Sequence, residues 1–184
     1  MDGKHTELIA RGLITTGGRV LLCQNKAAGY HYLPGGHVEF AEPAGQALAR
    51  EIREETGLRA QVGKLLLALE ASFVQNDKPR HELSLVFHVE RLTHPTHSDS
   101  TQSDPAQPDP TQPNPAQTEQ GLGNLGGIDG GGIEVRSLEE HIEFLWVELA
   151  AIPDLDVRPL AIKAWLMTGG GGAGGGAEWI SAME

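Results

Sequence analysis

The chain reads as a single α/β domain interrupted by one long low-complexity insertion, and three observations lead there. Short β-type segments flank a strongly helix-forming stretch at residues 44–56. A chain of 184 residues with 39% hydrophobic content can bury one core, so one domain is expected. Between residues 94 and 132 the composition turns to Ser, Asp, Pro, Gln and Gly, with no apolar residue larger than Ala before Leu122. Such a stretch cannot repay the entropy of ordering. The expected organisation is one domain from residues 1–93 and 133–168, a disordered insert at 94–132, and a flexible Gly-rich tail at 169–184.

The elements follow in order. Residues 9–14 and 19–23 form two apolar strands, joined at Thr16-Gly17-Gly18 in a hairpin. Pro43 opens a helix over 44–56, since its missing N–H is one the first turn leaves unpaired. Gly57 supplies the stop, where a left-handed residue is needed. Residues 64–73 and 82–89 are strands joined through Asn76-Asp77-Lys78-Pro79, and the second alternates around Leu83, Leu85 and Phe87. That alternation sets His88 on the opposite face. A strand with a kink or bulge near its end is expected at 141–149, and an amphipathic helix from Pro159 to Met167. Seven glycines between 169 and 176 make a tether, beyond which Trp179 and Ile180 either dock on the domain or stay free.

Charge narrows the partners. The net charge is −11. From Thr93 to Ile133 there is no Lys or Arg but five acids; the remainder holds 20 acids against 14 bases. An acidic surface argues against long nucleic acid, whose backbone is bound by clustered Lys and Arg. Cys23 is the one cysteine and lies in an apolar run, so no intramolecular disulfide forms. The first residues lack the apolar core of a signal peptide, and no apolar run nears the roughly 18 residues of a membrane span. A soluble cytoplasmic protein is the expectation, and a homodimer is an admissible state. Residues 98–117 parse as four pentapeptides, SDSTQ, SDPAQ, PDPTQ and PNPAQ, read as a tolerated loop expansion with a partner-docking arm as the alternative.

The most specific chemistry lies between Gly36 and Leu58, in GHVEFAEPAGQALAREIREETGL. On the expected helix, Glu51 and Glu54 are three residues apart and Glu51 and Glu55 four apart, so all three carboxylates crowd one stripe. Leu48 and Ile52 define the neighbouring apolar stripe. Like charges on adjacent turns repel, and Arg50, four residues before Glu54, answers only part of that. Hard divalent ions such as Mg²⁺ or Mn²⁺ bind through carboxylate, carbonyl and water oxygens and answer the rest. Gly35 and Gly36 lie just upstream, where bare backbone can approach a ligand and lend a carbonyl oxygen.

This pattern resembles the signature of the Nudix hydrolases: Gly, five residues, Glu, seven residues, Arg-Glu-aliphatic, one residue, Glu-Glu, one residue, Gly-aliphatic. Every specified position is met, at Gly36, Glu42, Arg50, Glu51, Ile52, Glu54, Glu55, Gly57 and Leu58. A chance match is on the order of one in ten million or rarer per starting position. Leu33-Pro34-Gly35 also resembles the family's usual lead-in. The resemblance implies an α/β/α sandwich around a mixed sheet, and metal-dependent hydrolysis of a nucleoside diphosphate linked to another group. A small nucleotide is the implied substrate.

Carried over residue by residue, the resemblance makes Glu51 and Glu55 direct metal ligands, with Glu54 a further ligand or the base that activates water. A backbone carbonyl at Gly35 or Gly36 completes a coordination sphere. Arg50 orients Glu51 or Glu54, and Glu42 braces the loop by pairing with Arg50. Gly35, His37 and Tyr32 flank the loop as substrate-binding candidates, with Tyr30 and His31 beside them. For an additional general base from outside the signature, Glu82, Glu139, Glu140 and Glu143 are candidates, Glu82 and Glu140 foremost. No paired zinc spacing occurs among the histidines.

Substrate hallmarks of individual subfamilies are missing. Relatives favouring ADP-ribose commonly carry a proline about fifteen residues past the signature, where Phe73 and Val74 stand here; those favouring diadenosine polyphosphates carry a downstream tyrosine, and none follows Tyr32. The alternative to an enzyme is a nucleotide-sensing protein on the same fold, with the insert as its partner arm. The mutually repelling Glu51, Glu54 and Glu55 argue against it, because a non-catalytic relative has no reason to keep them.

Overall fold

The computed structural model describes residues 6–75, 78–95, 133–170 and 176–183. Its strands are β1 (Thr6–Leu13), β2 (Thr15–Thr16), β3 (Arg19–Asn25), β4 (His31–Tyr32), β5 (Gly35–His37), β6 (Arg59–Gln75), β7 (Lys78–Thr93), β8 (Ile142–Glu148) and β9 (Glu178–Ala182). Two helices, α1 (Ala44–Thr56) and α2 (Leu160–Met167), and a 3₁₀ helix at Leu149–Asp154 complete it.

Two sheets form the middle layer. One runs β5-β1-β7-β6-β9; β1 pairs parallel with β7 and β6 parallel with β9, while β5–β1 and β7–β6 are antiparallel, so the sheet is mixed. The other places β3 between antiparallel partners, with β2 and β4 on its path and β8 alongside. The core divides by face. Ala10, Ile14, Leu21, Cys23, Ile142 and Phe144 from both sheets pack with Ala47, Leu48 and Ile52 of α1. Leu13, Val20, Leu22, Leu67, Leu69 and Val86 pack with Ile162, Trp165 and Leu166 of α2. This is the α/β/α sandwich that the signature implied.

Helix α1 forms as expected. Ala47, Leu48 and Ile52 are its buried stripe. Pro43 stands at the cap, just before the first helical residue, and Gly57 ends the helix in the left-handed conformation with φ 73°, its N–H donating to the Arg53 carbonyl.

Four expectations are corrected. Strands β6 and β7 are longer than residues 64–73 and 82–89, because each supplies the other's ladder from Arg59–Thr93 to Gln75–Lys78. The kinked end of the 141–149 strand is instead a 3₁₀ turn starting at Leu149. On β7 the alternation is real, but Glu82, Ser84 and Val86 are its more buried face while Leu83, Leu85 and Phe87 are half-buried. The cause lies in tertiary pairing, since Arg11 on neighbouring β1 gives Glu82 and Ser84 interior partners. The tail is not flexible throughout, for residues 178–182 are strand β9 on the edge of β6. Ile180 and Ala182 pack on the α2-side core, and Trp165 Nε1 donates to Glu178 Oε1 at 3.2 Å.

Asn76 and Asp77 of the expected turn, and residues 96–132 of the insert, lie outside the described residues. Among those described, no helix is long and apolar enough to cross a membrane.

The docking of β9 carries a measurable consequence. Ile180→Asp places a charge against the α2-side core, and we expect it to lower unfolding free energy by about 1–3 kcal/mol. Chemical denaturation checks this; an unchanged midpoint would mean that β9 contributes nothing to the fold in solution.

Candidate active site

The site is assembled on one face of α1 against the backbone of β5. Gly35 has φ 125°, and a Cβ there would lie 2.1 Å from the Ala10 carbonyl oxygen. A Cβ on Gly36 would lie 2.4 Å from the Glu51 carboxylate carbon. Fixed backbone at a positive φ bars a side chain at Gly35, and at Gly36 a side chain would displace the Glu51 carboxylate, so backbone and carboxylate meet directly there.

Arg50 is the hub of the helix face. Its Nε and Nη2 donate to the two oxygens of Glu42 at 2.9 and 3.0 Å, a bidentate pair. Nη1 donates to Glu51 Oε1 at 2.9 Å and Glu54 Oε2 at 3.2 Å, and Nη2 also reaches the His37 carbonyl at 2.9 Å. Glu42 Oε2 accepts from the Glu39 N–H, so Glu42 both fixes Arg50 and closes its own loop. The Arg50 hydrogen bond holds the Glu42 carboxyl below the usual range, even though partial burial opposes it.

The three signature carboxylates occupy different environments. Glu54 is half-exposed, with 54% of its side-chain surface open. Glu51 is mostly covered and faces Gly36. Glu55 is buried, and its Oε2 has no hydrogen-bond partner. Burial first, then the charges of Glu51 and Glu139, push its pKa up to about 8, against the opposing pull of Arg11 and a hydrogen bond from the Gly35 backbone. Among the described residues no three His, Cys, Asp or Glu side chains converge on one point. Arg50 draws Glu51 and Glu54 around its guanidinium, while Glu51 stays close enough to Glu55 to act on its charge. A hard divalent cation nevertheless fits this donor set. A buried oxygen lacking a partner, a neighbouring carboxylate and an open backbone cradle are oxygen donors with unmet charge.

Of the four carboxylates offered from outside the signature, Glu139 comes within electrostatic range of Glu55. The Leu138 N–H donates to the Glu55 carbonyl at 2.7 Å, which ties that segment to the end of α1. Glu140 and Glu143 are exposed. Glu82 is 5% exposed and pairs with Arg11 Nη2 at 3.0 Å. Burial alone would raise its pKa, but Arg11 and the Ser84 hydroxyl outweigh that and hold it below the ordinary value. His37 is exposed, with Nε2 3.7 Å from Glu7. Tyr32 is half-buried; burial first, then Cys23 and Glu55, push its phenol well up, so it stays a neutral donor. Arg11 lies over its ring at 6.0 Å. The Tyr30 ring is 5.9 Å from that of Tyr32, and Arg158 lies 4.8 Å over Tyr30. Arg11 and Arg158 were not singled out from the sequence. The one available signal was a lone Arg11 inside the apolar run 9–14; Arg158 had none.

With the geometry in place, comparison with known proteins is direct. The NUDIX domain model matches residues 6–112, more than half of the chain. The chain belongs to the Nudix family. Among solved structures, a MutT protein from Methanosarcina mazei Go1 superposes with TM-score 0.56 at 20% identity, covering 90% of this chain and 93% of that one. A MutT Nudix hydrolase from Burkholderia pseudomallei superposes with TM-score 0.52 at 20% identity, covering 79% and 85%. Such identities speak to the fold alone. An ADP-ribose pyrophosphatase of Methanocaldococcus jannaschii is 38% identical over 86 residues, 45% of this chain and 50% of that protein. A CTP pyrophosphohydrolase of Escherichia coli is 43% identical over 65 residues, 33% of this chain and 47% of that protein. The chain thus spans about half the length, or less, of the curated relatives it matches.

Two stability predictions follow from the loop and the buried pair. Ala41 has φ 63°, the one positive φ at a non-glycine among the described residues. Ala41→Gly is expected to raise unfolding free energy by about 0.5–1 kcal/mol, as relief of left-handed strain exceeds the added chain entropy; differential scanning calorimetry checks it. For Glu82 the folded pKa is depressed, so its contribution is complete above the ordinary value of 4.5 and is lost as pH falls through the folded value. Glu82→Gln should therefore cost about 3–5 kcal/mol at pH 7, by stranding Arg11, with the gap to wild type narrowing below pH 4.5. Urea titrations at pH 7 and pH 3.5 test this; a gap independent of pH would contradict the pairing.

Proposed function

We propose that the chain is a pyrophosphohydrolase that cleaves a phosphoanhydride bond of a nucleoside diphosphate derivative, a nucleoside triphosphate or a sugar nucleotide. The observation that carries this reading is the buried, unpartnered oxygen of Glu55 beside Glu51 and the bare backbone at Gly35–Gly36. Glu51, Glu55 and Glu54, with a backbone carbonyl of Gly35 or Gly36, would hold Mg²⁺ or Mn²⁺. Such an ion supplies charge neutralisation at non-bridging phosphate oxygens and lowers the pKa of a water. The names of the two curated relatives support a phosphoanhydride as the bond cleaved, and they differ in the nucleotide.

The chain's own residues take distinct parts. Glu54, the most solvent-open of the three, takes the proton of the attacking water as its oxygen bonds to phosphorus and the bridging P–O bond breaks. Arg50 holds Glu51 and Glu54 in place, and Glu42 holds Arg50. Tyr32, with Tyr30 beside it, offers an aromatic face for a base near the carboxylates, which Gly35 and His37 border from β5. Glu139, within electrostatic range of Glu55, is a better placed extra carboxylate than Glu140; Glu82, locked to Arg11, is a poor proton acceptor. Residues 94–132 are read as an insertion in this one domain, with a partner-docking arm as the alternative.

Phosphate release is the test, measured over nucleoside triphosphates, sugar nucleotides, ADP-ribose and dinucleotide polyphosphates with Mg²⁺, Mn²⁺ or EDTA. Turnover of one class with metal alone is expected. Glu54→Gln and Glu55→Gln should each lower kcat by about 10²–10⁴-fold while circular dichroism is unchanged, and deletion of residues 98–117 should leave kcat intact. Wild-type rates in both glutamine variants would refute the assigned roles.

A further inference from the structure

A buried charge network lies beneath the Gly35–Gly36 backbone and belongs to no part of the signature. Arg11 sits in the middle of β1, between β5 and β7, and is almost fully covered. Its guanidinium reaches three groups at once: Glu82 Oε1 at 3.0 Å, Ser84 Oγ at 3.2 Å and the Leu33 carbonyl at 3.3 Å. Ser84 in turn donates to Glu82. Ile9 and Leu13 on β1, Val86 on β7 and Leu69 and Ala71 on β6 are all buried in the same sheet.

A buried ion pair in such surroundings is weak as a stabilising device, since removing two charges from water consumes most of what their attraction returns. Its effect here is geometric. Leu33 opens the segment Leu33-Pro34-Gly35-Gly36, and the segment is clamped to β1 from two sides. The backbone supplies one clamp: the Gly12 N–H donates to the Pro34 carbonyl at 2.8 Å, and Arg11 pairs with Gly35 and Ala10 with Gly36 across β1–β5. The Arg11 side chain supplies the other, at the Leu33 carbonyl. The clamped segment is the one whose backbone faces Glu55 and Glu51. Only a planar fork with several donors can serve Glu82, Ser84 and a carbonyl together, so Lys is no substitute.

We infer that Arg11, fixed by Glu82 and Ser84, is a positioning residue that sets the Gly35–Gly36 backbone against the α1 carboxylates and thereby tunes the affinity of that site for a divalent cation. The inference rests on the proposed reading of the carboxylate site and adds to it a network outside the signature. Supporting groups of this kind change metal affinity about 10–100-fold when lost.

The experiment is a Mn²⁺ titration of the full chain followed by electron paramagnetic resonance, alongside thermal unfolding. The informative variant is the double replacement Arg11→Met with Glu82→Leu, which removes both charges and fills their space with apolar atoms. Arg11→Lys is the second variant, and Glu55→Gln the control. The double variant is expected to keep a thermal midpoint near wild type while its Mn²⁺ Kd rises at least tenfold. Arg11→Lys should also weaken Mn²⁺ without unfolding the chain, so the answer survives if the double variant misfolds. Wild-type affinity in folded Arg11 variants, with Glu55→Gln abolishing binding, would overturn this inference alone. A wild-type chain that binds no Mn²⁺, or binding indifferent to Glu55→Gln, would overturn the site reading and this inference with it.

Discussion

Everything at the site depends on the close approach of the Gly35–Gly36 backbone to β1 on one side and α1 on the other. A Cβ at Gly35 would meet the Ala10 backbone, and one at Gly36 would take the place of the Glu51 carboxylate. Because that segment is a strand paired to β1, its distance from α1 is set by sheet and helix packing rather than by a mobile loop. Ala47, Leu48 and Ile52 press α1 onto both sheets, which delivers Glu51 and Glu55 to the glycines on the adjoining stripe. Apolar packing on one face of the helix thus fixes the electrostatics of the next.

That placement creates a problem of like charge, and the structure answers it in parts. Arg50 takes up Glu51 and Glu54 and is itself clamped by Glu42, so the repulsion on the exposed side of the stripe is partly offset. Glu55 is too deep for Arg50 and keeps an oxygen without a partner. The contrast between a half-exposed Glu54 and a buried Glu55 puts chemically identical side chains in different electrostatic environments. Beneath them, Arg11 and Glu82 bring a second, separate charge pair into the sheet, at the one point where it can hold the lead-in to the glycines.

Much of this was legible in the sequence. Local periodicity and capping chemistry sufficed for α1, from Pro43 to Gly57, and the spacing of Glu51, Glu54 and Glu55 set their common face. The site residues of the signature were legible because they lie within one helix and its entry. Strand β7 was misleading, since an alternation of two faces does not say which is interior. Glu82 and Ser84 face inward because Arg11, more than seventy residues earlier, pairs with them across a parallel ladder. The short β4 and β5 were also invisible, since two- and three-residue strands have no period of their own.

The sequence by itself determined the family pattern, the carboxylate stripe and the helix bearing it, because these rest on interactions between residues a few positions apart. Tertiary structure alone decided which carboxylates are buried, and it brought Glu139 toward Glu55 and Arg158 over Tyr30. It also docked β9 on β6 after a run of glycines that has no preference of its own. These outcomes depend on pairings between distant segments, whose energies arise only once the sheets exist. Burial, and with it the strength of every charge at the site, is a property of that packing.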